Sequence, residues 1–146
     1  MTSRFQPPPV IKACERLLVD IENAVRQFPR YHRYVVGTDL RKAAAAVFST
    51  ANRAWRDQAG RAQWVERLVW QVDELKMYLQ TAKLVGATAS FRQFEHLARQ
   101  VEGLGAQVGG WRRQLHPSAQ NAAAHRGVPQ RGQKLSTRAA SAGANA

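Results

Sequence analysis

The sequence predicts an all-α protein, an up-down-up-down four-helix bundle with a disordered basic C-terminal tail. Apolar residues recur at steps of three and four through residues 8–115, and no segment alternates as a strand does. Breaks containing Pro or Gly divide this region into four segments, and short links between long helices favour antiparallel neighbours. Residues 116–146 are mostly Ala, Gly, Ser, Gln and Asn, with too few large apolar side chains to order a core.

The first helix is expected to begin near Pro8 and Pro9, because proline suits a first turn, where its missing N–H needs no partner. It is expected to end before Pro29. Its apolar stripe comprises Val10, Cys14, Leu17, Leu18, Ile21, Val25 and Phe28. A connector over residues 30–38 follows.

The second and third helices are expected over residues 39–57 and 61–84, separated by a turn at Gly60. The predicted core face of the second helix is Leu40, Ala44, Val47, Phe48, Ala51 and Trp55. The stripe of the third helix is Trp64, Leu68, Val72, Leu75, Leu79 and Ala82.

The fourth helix is expected to open at Ser90, after Gly86 ends the third, because Ser90 and Gln93 have the spacing of a capping box. Its seam steps alternately by three and four: Phe94, Leu97, Val101, Leu104, Val108, Trp111 and Leu115. Its four glycines, Gly103, Gly105, Gly109 and Gly110, predict close contact with a neighbouring backbone. That contact lies either within the bundle or between subunits.

Large aromatic residues exceed what one small bundle needs in its core. Trp70 lies off the stripe of the third helix, so it belongs either to an intersubunit face or to the cap of a bundle end. The sequence leaves these two interpretations equal.

The charge balance indicates a polyanionic partner. Lys and Arg number 22 against 10 acids, for a net charge of +12, which favours RNA or DNA over a merely solubilising role. No apolar run approaches the roughly 20 residues of a membrane span. No N-terminal signal pattern is present and Cys14 is the single cysteine, so we expect a cytoplasmic protein without a membrane partner.

The sequence gives little support to an enzyme. Its four histidines are scattered without carboxylate or cysteine partners at ligand spacing, so no metal or other cofactor is expected. Cys14 lies on an apolar stripe, where a small core residue is commoner than a nucleophile.

The basic residues carry the functional prediction. Between Asp39 and Asp57 the second helix contains no acid, and on a helical wheel Arg53 and Arg56 lie about 20° and about 40° from Lys42. Cations interleaved with aromatics in the connector suit phosphates and bases. The predicted nucleic-acid-binding residues are therefore Arg30, Arg33, Arg41, Lys42, Arg53 and Arg56, with Lys76, Lys83, Arg112 and Arg113 as further members. For Arg112 and Arg113, interaction with the helix dipole is an equal alternative.

Five segments together resemble a known family. They are residues 28–31 (FPRY), 37–41 (GTDLR), 75–79 (LKMYL), 90–97 (SFRQFEHL) and 108–111 (VGGW). Their order and spacing are similar to those of the accessory variability determinant (Avd) of diversity-generating retroelements. The resemblance covers residues 10–115, and the bundles encoded in ribosomal RNA intervening sequences share the fold.

The resemblance implies a non-catalytic homopentamer with a basic surface. Such a protein binds the retroelement's reverse transcriptase and RNA or DNA, and supports mutagenic cDNA synthesis. Two basic positions of the family pattern are absent here, where Gln80 and Ala106 stand. The alternatives are an RNA- or ribonucleoprotein-binding bundle of the intervening-sequence type, and a structural oligomeric adaptor.

Overall fold

The computed structural model describes residues 6–116, and that part of the chain is all-α, without strands. It contains four long helices and one single-turn helix: α1 (Pro9–Arg26), α2 (Arg30–Arg33), α3 (Val36–Arg56), α4 (Arg61–Leu84) and α5 (Phe91–Leu115). The predicted fold class is confirmed. The chain divides into a compact unit over Met1–Arg112 and a second unit over Arg113–Ala146. Apart from His116, the predicted tail lies outside the described residues.

Polar contacts along α5 show that it runs antiparallel to both of its neighbours. On α1, Gln27 accepts a hydrogen bond from Gln93 at 2.9 Å, and the earlier Asp20 accepts one from the later Gln100 at 2.9 Å. The α4–α5 pairs run in the same opposed sense, with Lys76 3.7 Å from Glu102 and Glu66 2.6 Å from Arg112.

The helix α3 lies between α1 and α4 and is antiparallel to both. Its early residue Arg41 pairs with Glu22, near the end of α1, at 2.8 Å. At its other end, Arg61 at the start of α4 donates a 2.7 Å bond to the carbonyl of Ala54. The order around the bundle is therefore α1, α3, α4, α5, which is the predicted up-down-up-down arrangement.

One apolar core runs the length of the bundle, and the predicted stripes supply it. Its largest fully buried side chains are Phe28, Leu17, Ile21, Leu40, Leu68, Leu75, Leu97 and Leu104. Five of the predicted positions are only partly buried and pack against this core: Leu18, Phe48, Trp55, Phe94 and Trp111. Trp64 departs from the prediction, because it is half-exposed and Val65 is buried in its place.

The link from α4 to α5 is built as the sequence predicts. Gly86 has φ +75°, the left-handed conformation that glycine adopts without strain. Its N–H bonds to Lys83 O at 3.1 Å, and Ala87 N–H bonds to Ala82 O at 2.8 Å. This pair of bonds is a Schellman motif, which satisfies the last carbonyls of α4.

Ser90 and Gln93 start α5 in the predicted way. The Ser90 hydroxyl accepts a bond from the Gln93 N–H at 3.1 Å. The Gln93 side chain accepts one from the Ala89 N–H at 2.9 Å. This differs by one residue from a standard capping box, in which the side chain reaches the cap residue's own N–H.

The predicted connector is more helical than expected, since it contains α2 and the start of α3. Gly37 is buried in the first turn of α3, and a Cβ there would lie 2.6 Å from Cγ1 of Val25. Glycine at this position therefore allows α3 to approach α1 closely, and does not mark a loop.

Two glycines of α5 lack the close backbone contact that their number predicts. A Cβ on Gly103 would meet nothing within 4 Å, and one on Gly105 would first meet the Lys76 side chain at 3.4 Å. Close backbone contact within the bundle is therefore wrong for these two positions, although Gly105 faces side chains of α4. Contact between subunits remains a prediction.

Candidate nucleic-acid interface

The antiparallel arrangement separates the predicted basic residues into two groups. We call the two ends of the bundle the α2 end, which holds α2 and the α4–α5 link, and the α3–α4 end, which holds the turn at residues 57–60. The helix α3 has 21 residues, so it places its two ends roughly 30 Å apart. The sequence predicts one basic surface from the connector and the C-terminal part of α3. In the structure these two segments lie at different ends of the bundle.

The α2 end carries three of the predicted residues. Arg30 is exposed, whereas Arg33 is half-buried and donates a 3.3 Å bond to the carbonyl of Phe28. The Lys83 ammonium lies 4.9 Å from the ring centre of Phe94, in cation–π geometry. Of these three residues, only Arg30 is both exposed and without a contact within residues 6–116.

Three further predicted residues have acidic partners on a neighbouring helix. They are Arg41 with Glu22 (2.8 Å), Lys76 with Glu102 (3.7 Å) and Arg112 with Glu66 (2.6 Å). Exposed ion pairs of this kind are weak, but each cation's charge is locally balanced. These three residues are consequently poorer phosphate ligands than the sequence indicates. Arg113 is exposed and belongs to the second unit of the chain.

The exposed face of α3 keeps the predicted basic stripe. Lys42, Arg53 and Arg56 are all exposed, and none has an acidic partner in the described part of the chain. Arg53 and Arg56 lie one turn apart, and Lys42 is roughly 16 Å from Arg53 along the helix axis. This face therefore presents three exposed cations that form no ion pair within residues 6–116.

Aromatic rings accompany the two arginines of this face. The guanidinium carbon of Arg53 is 5.4 Å from the ring centre of Trp64, and that of Arg56 is 5.2 Å from the ring centre of Trp55. An open cleft of about 580 Å³ lies here, which we call the α3–α4 cleft. Its lining residues are Phe48, Ser49, Asn52, Arg53, Arg56, Asp57 and Trp64.

Asp57 fixes the position of the Trp64 ring. The indole Nε1 donates to one carboxylate oxygen of Asp57 at 3.0 Å, and the Gly60 N–H donates to the other at 3.0 Å. These hydrogen bonds, the indole bond first, hold the pKa of Asp57 below its usual range. The carboxylate is therefore ionised at neutral pH, and the indole is oriented before any ligand arrives.

Arg61 closes the C-terminus of α3. Its Nε donates to the Ala54 carbonyl and its Nη2 to the Trp55 carbonyl, both at 2.7 Å. These carbonyls have no partner within the helix, and a cation there also offsets the negative end of the helix dipole. Arg61 thus supports the cleft without lining it.

The sequence reasoning missed Trp64, Asn52 and Asp57 as members of the site. A signal was available, because an aspartate followed three residues later by a glycine is typical of a turn that stops one helix and starts the next. Trp64, four residues after that glycine, lies at the first turn of α4 and faces the break between the helices.

A second open cleft of about 420 Å³ lies on α4, lined by Arg67, Trp70, Gln71, Asp73, Glu74 and Met77. Residues 6–116 contain no group of three or more His, Cys, Asp or Glu side chains that could hold a metal ion. Burial, and then the charge of Glu15, raise the pKa of the Cys14 thiol to about 12, so it is a protonated core residue. None of the helices in this range is long and apolar enough to cross a membrane.

No protein-family model matches the chain, and a search of curated proteins finds no significant match. The chemistry of the α3 face and the resemblance described above are therefore the grounds on which a function is argued.

Proposed function

We propose that this protein is the non-catalytic accessory subunit of a diversity-generating retroelement. In this role it binds the reverse transcriptase and RNA or DNA, as a homopentamer, and supports mutagenic cDNA synthesis. The observation that carries the proposal is the face of α3, where Lys42, Arg53 and Arg56 are exposed without acidic partners. The resemblance of residues 10–115 to the Avd family supplies the retroelement, the polymerase and the pentamer.

The physical basis for nucleic-acid binding is the release of counterions. Each phosphate that a lysine or arginine neutralises frees condensed cations, and this drives association without reading the base sequence. A cation already paired with a carboxylate gains less from a phosphate, so the unpaired cations of α3 are the strongest ligands. The net charge of +12 adds long-range attraction to any polyanion.

The exposed apolar residues of α4 support a protein partner. Trp70, Met77 and Leu84 recur at steps of seven, with 73%, 64% and 74% of each residue exposed. Exposed large apolar side chains repeated along one face of a helix are candidates for an interaction surface. A second copy of the chain or the polymerase would bury it.

The experiment that tests the proposal is co-purification. The tagged full chain is expressed with the reverse transcriptase encoded beside its gene, and the lysate is treated with nuclease before capture. We expect a stable complex containing several copies of this chain, and cDNA synthesis on the retroelement template that requires the protein.

Two outcomes contradict the proposal and favour the alternatives. Capture of ribosomal RNA or ribosomal proteins, with no polymerase gene nearby, indicates a bundle of the intervening-sequence type. An oligomer that binds neither polymerase nor nucleic acid indicates a structural adaptor.

A further inference from the structure

We infer that the α3–α4 cleft binds one unpaired nucleobase of a single-stranded nucleic acid, with the base stacked on Trp64 and the adjoining phosphates held by Arg53 and Arg56. This inference rests on the proposed nucleic-acid role and makes it more specific. It distinguishes a single strand, whose bases are free to leave the stack, from a duplex, whose bases are not.

The stacking platform exists before the ligand binds. The Trp64 indole is held by its 3.0 Å hydrogen bond to the Asp57 carboxylate. The Gly60 N–H donates a second bond to that carboxylate and keeps it in place. Trp64 is partly buried and lines the cleft, and the guanidinium carbons of Arg53 and Arg67 lie 5.4 Å and 6.0 Å from its ring centre. A base therefore reaches the ring from the cleft by displacing one of these guanidinium groups. A ring oriented in advance loses little conformational entropy when a base stacks on it.

The cleft has room for a base and a charge pattern that suits a nucleotide. Its volume of about 580 Å³ lies within the roughly 300–1,000 Å³ of pockets that hold small organic molecules. Arg53 and Arg56 outnumber the one acid of the lining, Asp57, which is already bonded to Trp64 and Gly60. An apolar ring beside two cations fits a base joined to phosphates better than it fits an apolar peptide.

The guanidinium group of Arg53 can leave the Trp64 ring when a base stacks there, and can bind a phosphate of the ligand instead. It lies 5.4 Å from the ring centre of Trp64, an exposed cation–π contact that is weaker than base–aromatic stacking. A base that takes its place releases the arginine toward the next phosphate, one helical turn from Arg56. The stack and the phosphate contact are therefore compatible.

The end of α3 does not repel the phosphates as an open helix C-terminus would. Arg61 covers the carbonyls of Ala54 and Trp55 with its guanidinium group, which places positive charge at that terminus. Asn52 also lines the cleft, and its side-chain amide nitrogen donates to the Phe48 carbonyl at 2.9 Å, a bond that does not use its side-chain oxygen.

The test compares two probes on three proteins by fluorescence anisotropy at one salt concentration. The probes are a labelled single-stranded RNA of about twelve nucleotides, a length within the usual site sizes, and a blunt RNA duplex of the same length. The proteins are the full chain, its Trp64→Leu variant and its Phe91→Leu variant. Phe91 is the control, an exposed aromatic residue at the α2 end, away from the cleft and not among the exposed apolar residues of α4.

We expect Trp64→Leu to weaken single-strand binding about tenfold and to change duplex binding less than twofold, because one stacked base is lost. Phe91→Leu should change the preference for single strands little. If Trp64→Leu weakens both probes equally or neither, the base site is wrong while the nucleic-acid role stands. If the unmodified chain binds neither probe, the nucleic-acid part of the proposed function fails as well. A Trp64→Leu protein with a changed oligomer mass would assign the cleft to a contact between protein copies and overturn the inference.

A second measurement uses only the unmodified chain, so a folding defect in a variant cannot affect it. A single strand carrying 5-iodouridine is irradiated on the full chain, and the crosslinked tryptic peptides are identified by mass spectrometry. Trp64 and Trp70 fall in different peptides, residues 62–67 and 68–76, because Arg61, Arg67 and Lys76 are cleavage sites. Crosslinks in 62–67 are the expected result, and crosslinks confined to other peptides overturn the inference.

Discussion

Trp64 shows how one side chain can leave the position that helical periodicity gives it. Counting back from Leu68 puts it on the core stripe of α4, but the neighbouring Val65 is buried instead. Trp64 lies in the first turn of the helix, next to the turn at Gly60, where Asp57 offers its indole N–H an acceptor at 3.0 Å. A buried indole N–H without a partner is costly, so a half-exposed position with one is favoured.

Cys14 gives a prediction at the residue scale. Burial raises the pKa of its thiol to about 12, whereas the same thiol in the unfolded chain ionises near pH 8.5. Above about pH 8.5 the unfolded state loses a proton that the folded state keeps, so the thiol lowers the free energy of unfolding by roughly 1.4 kcal/mol per pH unit. Urea unfolding at pH 8 and at pH 10 should therefore show a smaller decrease for Cys14→Ala than for the unmodified chain. Equal decreases in the free energy of unfolding of the two proteins would contradict a buried Cys14 thiol that stays protonated in the folded state.

Two glycines of similar exposure are expected to respond oppositely to the same change. Gly86 has φ +75°, so Gly86→Ala should lower the free energy of unfolding by about 1–2 kcal/mol, the cost of a left-handed alanine. Gly103 lies within α5 with open space around it, so Gly103→Ala should raise that free energy by up to about 1 kcal/mol. Denaturant unfolding measures both. If Gly103→Ala instead reduces the oligomer mass, the glycine lies in a subunit contact.

The exposed face of α3 provides the second prediction at the element scale. A variant with Lys42→Ala, Arg53→Ala and Arg56→Ala should bind duplex DNA much more weakly, and its slope of log K against log salt should flatten by about two to three units. The loss should be similar across base sequences, since phosphate contacts do not read bases.

The matched control for this variant removes three exposed arginines from other helices. It carries Arg16→Ala, Arg92→Ala and Arg99→Ala, which lie on α1 and α5 and give the same change in net charge. Circular dichroism checks that both variants fold. If the two variants have equal slopes of log K against log salt, the α3 face makes no specific phosphate contacts and binding depends on net charge alone.

For the whole molecule, self-association is the property to test. A single copy leaves Trp70, Met77 and Leu84 exposed on α4, and the resemblance predicts five copies. Light scattering at micromolar concentration should return about five times the chain mass of 16.3 kDa.

Trp70→Glu with Met77→Glu should lower that mass, because burying two carboxylates opposes assembly. Tyr31→Glu, which charges an exposed ring at the α2 end, is the control. A mass near that of one chain in the unmodified protein would exclude the oligomer.

The sequence by itself determined the four long helices of this protein, but not the single-turn helix α2. Helical periodicity placed α1 and α4 within about two residues, and local chemistry placed their ends, since the stop at Gly86 and the cap at Ser90 depend on neighbours a few positions away. The exposure of Lys42, Arg53 and Arg56 also followed from the period of one helix, because an apolar stripe on one side leaves the other side to solvent.

Only the tertiary structure decided which of the basic residues have acidic partners and which lie together. Arg41 meets Glu22 and Arg112 meets Glu66 because two helices pack side by side, and no spacing along the chain encodes such a pair. The α3–α4 cleft likewise needs the end of α3 and the first turn of α4 at once. Periodicity fixes the direction of a side chain relative to its own helix axis, whereas its neighbours across the bundle depend on the packing of all four long helices.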